Sequence, residues 1–174
     1  MTIVDWLQET MIRLRDAGVD SPRRDALVLL EDELGKDRAW VLAHPNHSLQ
    51  GLTLQRLGTK INRRVKREPL AYIRGKAWFY GRFFEVNPDV LIPRPESENF
   101  IELIKELCPK NVLELGTGSG ALAITTALEL PDSEILATDN DPKALTIAKK
   151  NTRAHQVKVD FVLGDMLKPI KFIQ

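Results

Sequence analysis

The chain has 174 residues, 43% of them hydrophobic, which is enough to bury a core in one large or two small domains and excludes a disordered chain. Its 25 basic and 24 acidic residues nearly cancel, so no global field marks a nucleic-acid binder, and a single cysteine, Cys108, excludes an intramolecular disulfide framework and suits a reducing compartment. No apolar stretch reaches the roughly 18 residues of a spanning helix, and the start MTIVDWLQET lacks the basic segment of a secretory leader, so the sequence predicts a soluble, cytoplasmic protein.

Apolar residues in the first 68 positions recur at spacings of three and four: Val4, Leu7, Met11 and Leu14, then Leu27, Leu30 and Leu34, then Leu54, Leu57, Ile61 and Val65. This predicts three or four short helices. Ser21 before Pro22 reads as an N-cap with proline at the first helical position, and Gly35 as the left-handed residue ending that helix. Pro69 breaks the pattern, and Ala77-Trp-Phe79, a turn at Tyr80-Gly81, and Phe83, Phe84 and Val86 predict an aromatic hairpin. After Leu91-Ile-Pro-Arg-Pro95, the residues from Glu96 to Leu107 predict a helix with acids in its first turn, where the positive end of the helix dipole favours them.

The rhythm then changes. A strand is predicted over Asn111 to Leu115, a helix over Ala121 to Leu130, a strand over Glu134 to Thr138, a helix over Pro142 to Arg153, and a strand over Val157 to Leu163. Such alternation implies right-handed crossovers and a parallel sheet with helices on its faces. Three strands are half of an open doubly wound sheet, so one edge of the first is expected to be unpaired.

Between the first of these strands and its helix stands Glu114-Leu-Gly116-Thr117-Gly118-Ser119-Gly120. Glycines there permit a tight turn and let a ligand approach main-chain amides at a helix N-terminus. Nineteen residues after Gly120, Asp139 ends the next strand, where a carboxylate can accept hydrogen bonds from both hydroxyls of a ribose. Together these read as a nucleoside cofactor site. Gly116, Gly118 and Ala121 also satisfy the dinucleotide fingerprint, which leaves a nicotinamide or flavin enzyme open. Gly120 and Glu114 favour another ligand: absent side chains at 116, 118 and 120 open more of the loop than a pyrophosphate requires, and Glu114 offers negative charge to an ammonium. S-adenosylmethionine carries both an ammonium and a ribose.

The stretch Val90-Leu-Ile-Pro-Arg-Pro-Glu-Ser-Glu98, with Val112 to Ala123, Ala137-Thr-Asp139 and Gly164-Asp165, closely resembles the release factor glutamine methyltransferases, as do Arg23-Arg-Asp-Ala26 and Glu68-Pro-Leu-Ala-Tyr-Ile-Arg-Gly75. The resemblance covers essentially the whole chain. It implies an α/β protein with a small all-helical N-terminal, substrate-recognition domain over 1–68, a β-hairpin linker over 69–92, and over 93–174 the first half of a Rossmann-like class I methyltransferase domain. It further implies transfer of a methyl group from S-adenosylmethionine to the side-chain amide of the Gly-Gly-Gln glutamine of a peptide chain release factor. The loop Gly116 to Gly120 would hold the methionine part, Asp139 the ribose, and Asp165 with Met166 the adenine surroundings.

Three positions depart from the family pattern. Met166 stands where relatives can carry an aromatic residue, and Ser97 stands for the usual Thr with its hydroxyl preserved. The Asn-Pro-Pro-Tyr motif, which in the family holds the glutamine amide, does not occur in these 174 residues. An amide nitrogen is a poor nucleophile and must be oriented toward the sulfonium methyl, so no catalytic residue is assigned and the expectation is a C-terminally shortened chain, inactive alone, ending at Pro169 to Gln174. A nicotinamide enzyme and a non-enzymatic binding module are the competing readings.

From Arg56 to Lys76 the chain has eight basic residues and one acid, a surface for ribosomal RNA or an acidic partner, or simply a solvated helix face; the latter is preferred. His44 and His47 read as a helix-connecting loop, since nothing nearby completes a metal site. Trp6, Trp40, Trp78 and Cys108 read as packing residues.

Overall fold

A computed structural model of the chain describes residues 1–168; the tail from Pro169 to Gln174 lies outside the described residues. The chain divides into two compact units, Met1–Arg74 and Gly75–Gln174.

The first unit contains helices α1 (Ile3–Asp16), α2 (Pro22–Leu34), α3 (Arg38–Ala43), α4 (Gly51–Val65) and α5 (Leu70–Arg74). Their apolar stripes converge on one core that includes Ile3, Trp6, Leu14, Leu30, Leu57 and Ile61. Thr2 closes a capping box with Asp5 at the start of α1, so two orphan donors of that helix are satisfied. Gly35 ends α2 at φ 62°, as its sequence position predicts. Ser21 occupies the N-cap of the same helix but its hydroxyl makes no capping bond, because proline at the first position already sets the helical turn.

The Arg-Arg-Asp-Ala stretch has a structural explanation. Asp25 is fully buried in α2 and accepts from Arg64 Nε of α4 at 2.8 Å, while Arg64 also donates to the Glu68 carbonyl at 2.9 Å. The basic run is spent in the same way: Arg56 and Lys60 pair with Glu33, Arg63 with Glu68, and Arg74 with Asp32. Arg56, Lys60 and Arg64 tie α4 to α2, Arg74 ties α5 to α2, and Arg63 closes the turn after α4.

The second unit opens with a hairpin of β1 (Lys76–Phe79) and β2 (Arg82–Glu85), antiparallel with Ala77 opposite Phe84. Tyr80 (φ 46°) and Gly81 (φ 74°) form the two-residue turn, both in the left-handed region that matches strand twist. Phe79 and Phe84 enter the core beside Ile101, Ile124 and Ala137, so the hairpin is part of the sheet unit's packing. Trp78 goes the other way: it is 56% exposed and packs edge-on against Phe83, which corrects its reading as a core or interdomain residue. A 3-10 turn (Pro95–Ser97) leads into α6 (Glu98–Leu107), which ends at Cys108. Cys108 is exposed at φ 43° in the C-cap, a second departure from the packing expectation: it closes the helix, with its thiol donating to the Lys105 carbonyl at 2.8 Å.

The sheet follows as β3 (Asn111–Leu115), α7 (Ala121–Glu129), β4 (Glu134–Asp139), α8 (Pro142–His155) and β5 (Asp160–Leu163). All pairings are parallel, in the order β3-β4-β5, with Leu113 opposite Leu136 and Leu136 opposite Asp160. Helices α7 and α8 pack on β4 and on each other, and so cover one face. Among the described residues β3 has one free edge, and Leu113 and Leu115 are 43% and 40% exposed, as the strand count implies.

Candidate functional site

The carboxyl ends of β3 and β4 meet at the glycine loop, the place where open α/β sheets bind ligands. Gly116 N–H and Thr117 N–H both donate to the Thr138 carbonyl, at 2.8 and 2.9 Å, so the loop is stitched to the end of β4. Gly118 N–H donates to Asp139 Oδ2 at 2.8 Å, and Asp139 Oδ1 accepts from Asp141 N–H at 3.0 Å. Asp139 therefore clamps the loop and holds Asp141, the residue that caps α8. Each of its oxygens has taken one hydrogen bond and retains lone-pair capacity for another.

The three glycines do different work. A Cβ built on Gly116 (φ 74°) or Gly118 (φ 56°) would meet nothing within 4 Å, so both face open space. A Cβ on Gly120 (φ 79°) would lie 3.0 Å from Ile124 Cδ1 and 3.1 Å from Ala148 Cβ. Its missing side chain lets α8 approach α7 and does not open the loop, which corrects the argument that all three glycines make room for a ligand.

Glu114 sits beneath this loop near the N-terminus of α7. The Thr117 hydroxyl donates to its Oε2 at 2.9 Å. Burial pushes the Glu114 carboxyl up to about 7, with the nearby Asp139 charge adding to the rise and the Thr117 and Ala123 hydrogen bonds opposing it. A cation placed there would stabilise the ionised form.

A cavity of about 200 Å³ opens over the loop, lined by Glu114, Gly116, Thr117, Gly118 and Ser119 from the sheet side. Its other wall comes from Leu91, Pro93, Arg94 and Ser97 of the proline-rich stretch, with Phe79 from the hairpin. The glycine loop and the proline-rich stretch thus face each other across one cavity. A larger cavity, about 490 Å³, lies at the amino-terminal ends of β4 and β5 against Glu134 and Asp160, away from the glycine loop. Asp165 and Met166 lie in the exposed turn after β5 and do not line the loop cavity, although Gly164 N–H reaches the Asp139 carbonyl at 2.9 Å. Asp165 pairs with Lys168.

One residue that sequence reasoning missed stands behind the loop. Asn151 of α8 is buried and donates to the Ser119 carbonyl at 2.8 Å. Asparagine late in a polar helix gives no sequence signal, because nothing local distinguishes it from a solvated position.

Residues 5–75 match the family model of the PrmC N-terminal domain, and residues 95–172 that of the methyltransferase small domain. A release factor glutamine methyltransferase of Koribacter versatilis is 40% identical over 98% of this chain and 62% of that protein. Another, from Coxiella burnetii, is 44% identical over 79% of the chain and 51% of its own length. The chain thus spans between half and two thirds of these relatives. A Pyrococcus abyssi tRNA (uracil-54, C5)-methyltransferase in complex with S-adenosyl-L-homocysteine matches at a TM-score of 0.44 and 16% identity, over 52% of this chain and 23% of that one.

Proposed function

We propose that the chain is part of a release factor glutamine methyltransferase, that its second unit binds S-adenosylmethionine, and that the whole protein methylates the Gly-Gly-Gln glutamine of a peptide chain release factor; the two matching family models and the 40–44% identical relatives support this reading. The observation that carries this reading is the open cradle over Gly116 and Gly118, lined by Glu114, with the buried Asp139 carboxylate hydrogen-bonded to the Gly118 amide behind it. Glu114 would hold the ammonium and Asp139 the ribose hydroxyls. The loop from Gly116 to Gly120 would lie along the methionine part. When bound, S-adenosylmethionine supplies an electrophilic methyl on its sulfonium. This chain's own contribution is to fix that group: the Thr138 carbonyl holds the loop's first two amides, and the proline-rich stretch with Phe79 forms the far wall of the cavity.

Asp165 and Met166 are retained as the adenine surroundings, since their turn begins beside the Asp139 main chain. The helical domain is proposed to receive the release factor, in the cytoplasm; no helix among the described residues is long and apolar enough to cross a membrane. Contact with ribosomal RNA through Arg56 to Lys76 is the weaker reading, because most of those cations are already paired. No residue of these 174 is assigned to orient the glutamine amide, so the chain alone is proposed not to transfer the methyl group.

Calorimetric titration with S-adenosylmethionine and with NADH tests the cofactor. The expected result is binding of the first alone, weakened by about 1–3 kcal/mol in Asp139→Ala, the usual loss for a hydrogen bond to a charged group. Preference for NADH would establish the nicotinamide alternative.

A further inference from the structure

The amide of Asn151 makes three hydrogen bonds from one side chain. Its Oδ1 accepts from Glu85 N–H at 2.7 Å, while Nδ2 donates to the Glu85 carbonyl at 3.0 Å and to the Ser119 carbonyl at 2.8 Å. Toward β2 the side chain imitates a neighbouring strand, meeting both main-chain groups of one residue. Toward the glycine loop it supplies the partner that the carbonyl of buried Ser119 would otherwise lack. Asn151 is itself only 2% exposed, so water cannot replace it without entering the packing.

We propose that Asn151 is a positioning residue: it sets the glycine loop for its ligand and makes the order of that loop depend on the docking of the hairpin. The ligand part of this inference rests on the cofactor reading above; the coupling between loop and hairpin does not. The loop has clamps on two sides. Asp139 fixes Gly118 from β4, and Asn151 fixes Ser119 from α8. The two clamps thus hold neighbouring residues of the loop from opposite sides, and Gly118 faces open space. The hairpin shares the second clamp, and Phe79 of the same hairpin walls the cavity. A hairpin displaced from α8 would release Asn151, and with it Ser119, in one step. Aspartate in place of Asn151 would set a carboxylate oxygen against two carbonyl oxygens, so the donor is specific to the amide.

The test compares Asn151→Ala with Ile147→Ala, a core truncation in the same helix that is 3% exposed and whose apolar side chain makes no hydrogen bond to either clamp. Both lower the melting temperature. Amide hydrogen exchange on the full chain without ligand should show Asn151→Ala accelerating Gly118 and Gly120 together with Glu85 and Val86 by at least tenfold, while Ile147→Ala leaves their ranking relative to the rest of the sheet unchanged. Calorimetry should show a tenfold or greater rise in the Kd for S-adenosylmethionine in Asn151→Ala and less than threefold in Ile147→Ala. In Asn151→Asp the ratio to wild type measured at the same pH should shrink as the pH falls, because a protonated carboxyl restores one donor. Parallel behaviour of the two alanine variants in exchange overturns the coupling, as does unchanged loop protection in Asn151→Ala. If the wild type does not bind S-adenosylmethionine, the cofactor reading fails and the exchange pattern alone decides this inference.

Discussion

Glu114 is the residue whose environment has the most specific consequences. Its carboxyl titrates near 7 in the folded chain against an ordinary value of 4.5, chiefly because burial disfavours the charge. Between those two values the folded protein holds a proton that the unfolded chain has released, so stability falls as pH rises through that window, by on the order of 3 kcal/mol at about 1.4 kcal/mol per unit. Glu114→Gln should flatten the dependence and raise the melting temperature at pH 8. The cofactor should respond oppositely: an ammonium partner needs the ionised carboxylate, so affinity for S-adenosylmethionine should rise toward tenfold per unit between pH 5 and 7 and lose that slope in Glu114→Gln. Affinity that is flat over this range in the wild type would remove Glu114 from the ligand's contacts. The glycines offer a second contrast at this scale. Gly118→Val, at φ 56° and facing open space, should abolish binding by filling the cradle, whereas Gly120→Ala should act first on stability, because its Cβ meets Ile124 and Ala148. Thermal melts and titrations of the two variants separate the effects.

At the scale of elements, periodicity and punctuation account for most of what was legible. The strands over Asn111 to Leu115 and Glu134 to Asp139, and the helices around them, follow from short apolar runs between Gly and Pro signals. The turn at Tyr80-Gly81 was equally readable, and so was the position of Asp139 at a strand end. What local sequence could not carry were decisions made by distant partners. Trp78 and Phe79 are adjacent and both aromatic, yet only the sheet beneath decides which is buried. Gly120 resembles its neighbours in the loop, and only the approach of Ala148 shows its different task. The buried Asp25 likewise takes its meaning from Arg64, thirty-nine residues away. Removing Arg64 leaves the buried Asp25 with only the longer 3.3 Å contact from the exposed Arg24, so Arg64→Ala should cost about 2–4 kcal/mol, more than removing the exposed Arg56 from Glu33, which keeps Lys60. Urea unfolding followed by helical circular dichroism measures both. Equal, small losses would show that water reaches Asp25.

Across the whole molecule the two units differ in how fully they close. The helical unit buries its stripes around one core, with short connections between its helices. In the second unit, α7 and α8 cover one face of the sheet, but Leu113, Leu115 and Leu163 remain 40–54% exposed, and β3 has a free edge among the described residues. Phe100, Leu103 and Leu107 of α6 are also at least half exposed. Unpaired main-chain groups at an edge and uncovered leucines both lower the free energy needed to open a segment locally. Hydrogen exchange on the 174-residue chain should therefore show stronger protection in α1, α2 and α4 than in β3 to β5. Within the sheet, β4, paired on both sides, should exchange more slowly than β3 or β5. The measurement must be made over a concentration series, since a free strand edge can pair with a second copy and would then gain protection as concentration rises. Slow exchange of equal depth in both units of a demonstrated monomer would show that one covered face and two parallel pairings hold this sheet as firmly as a closed helical core.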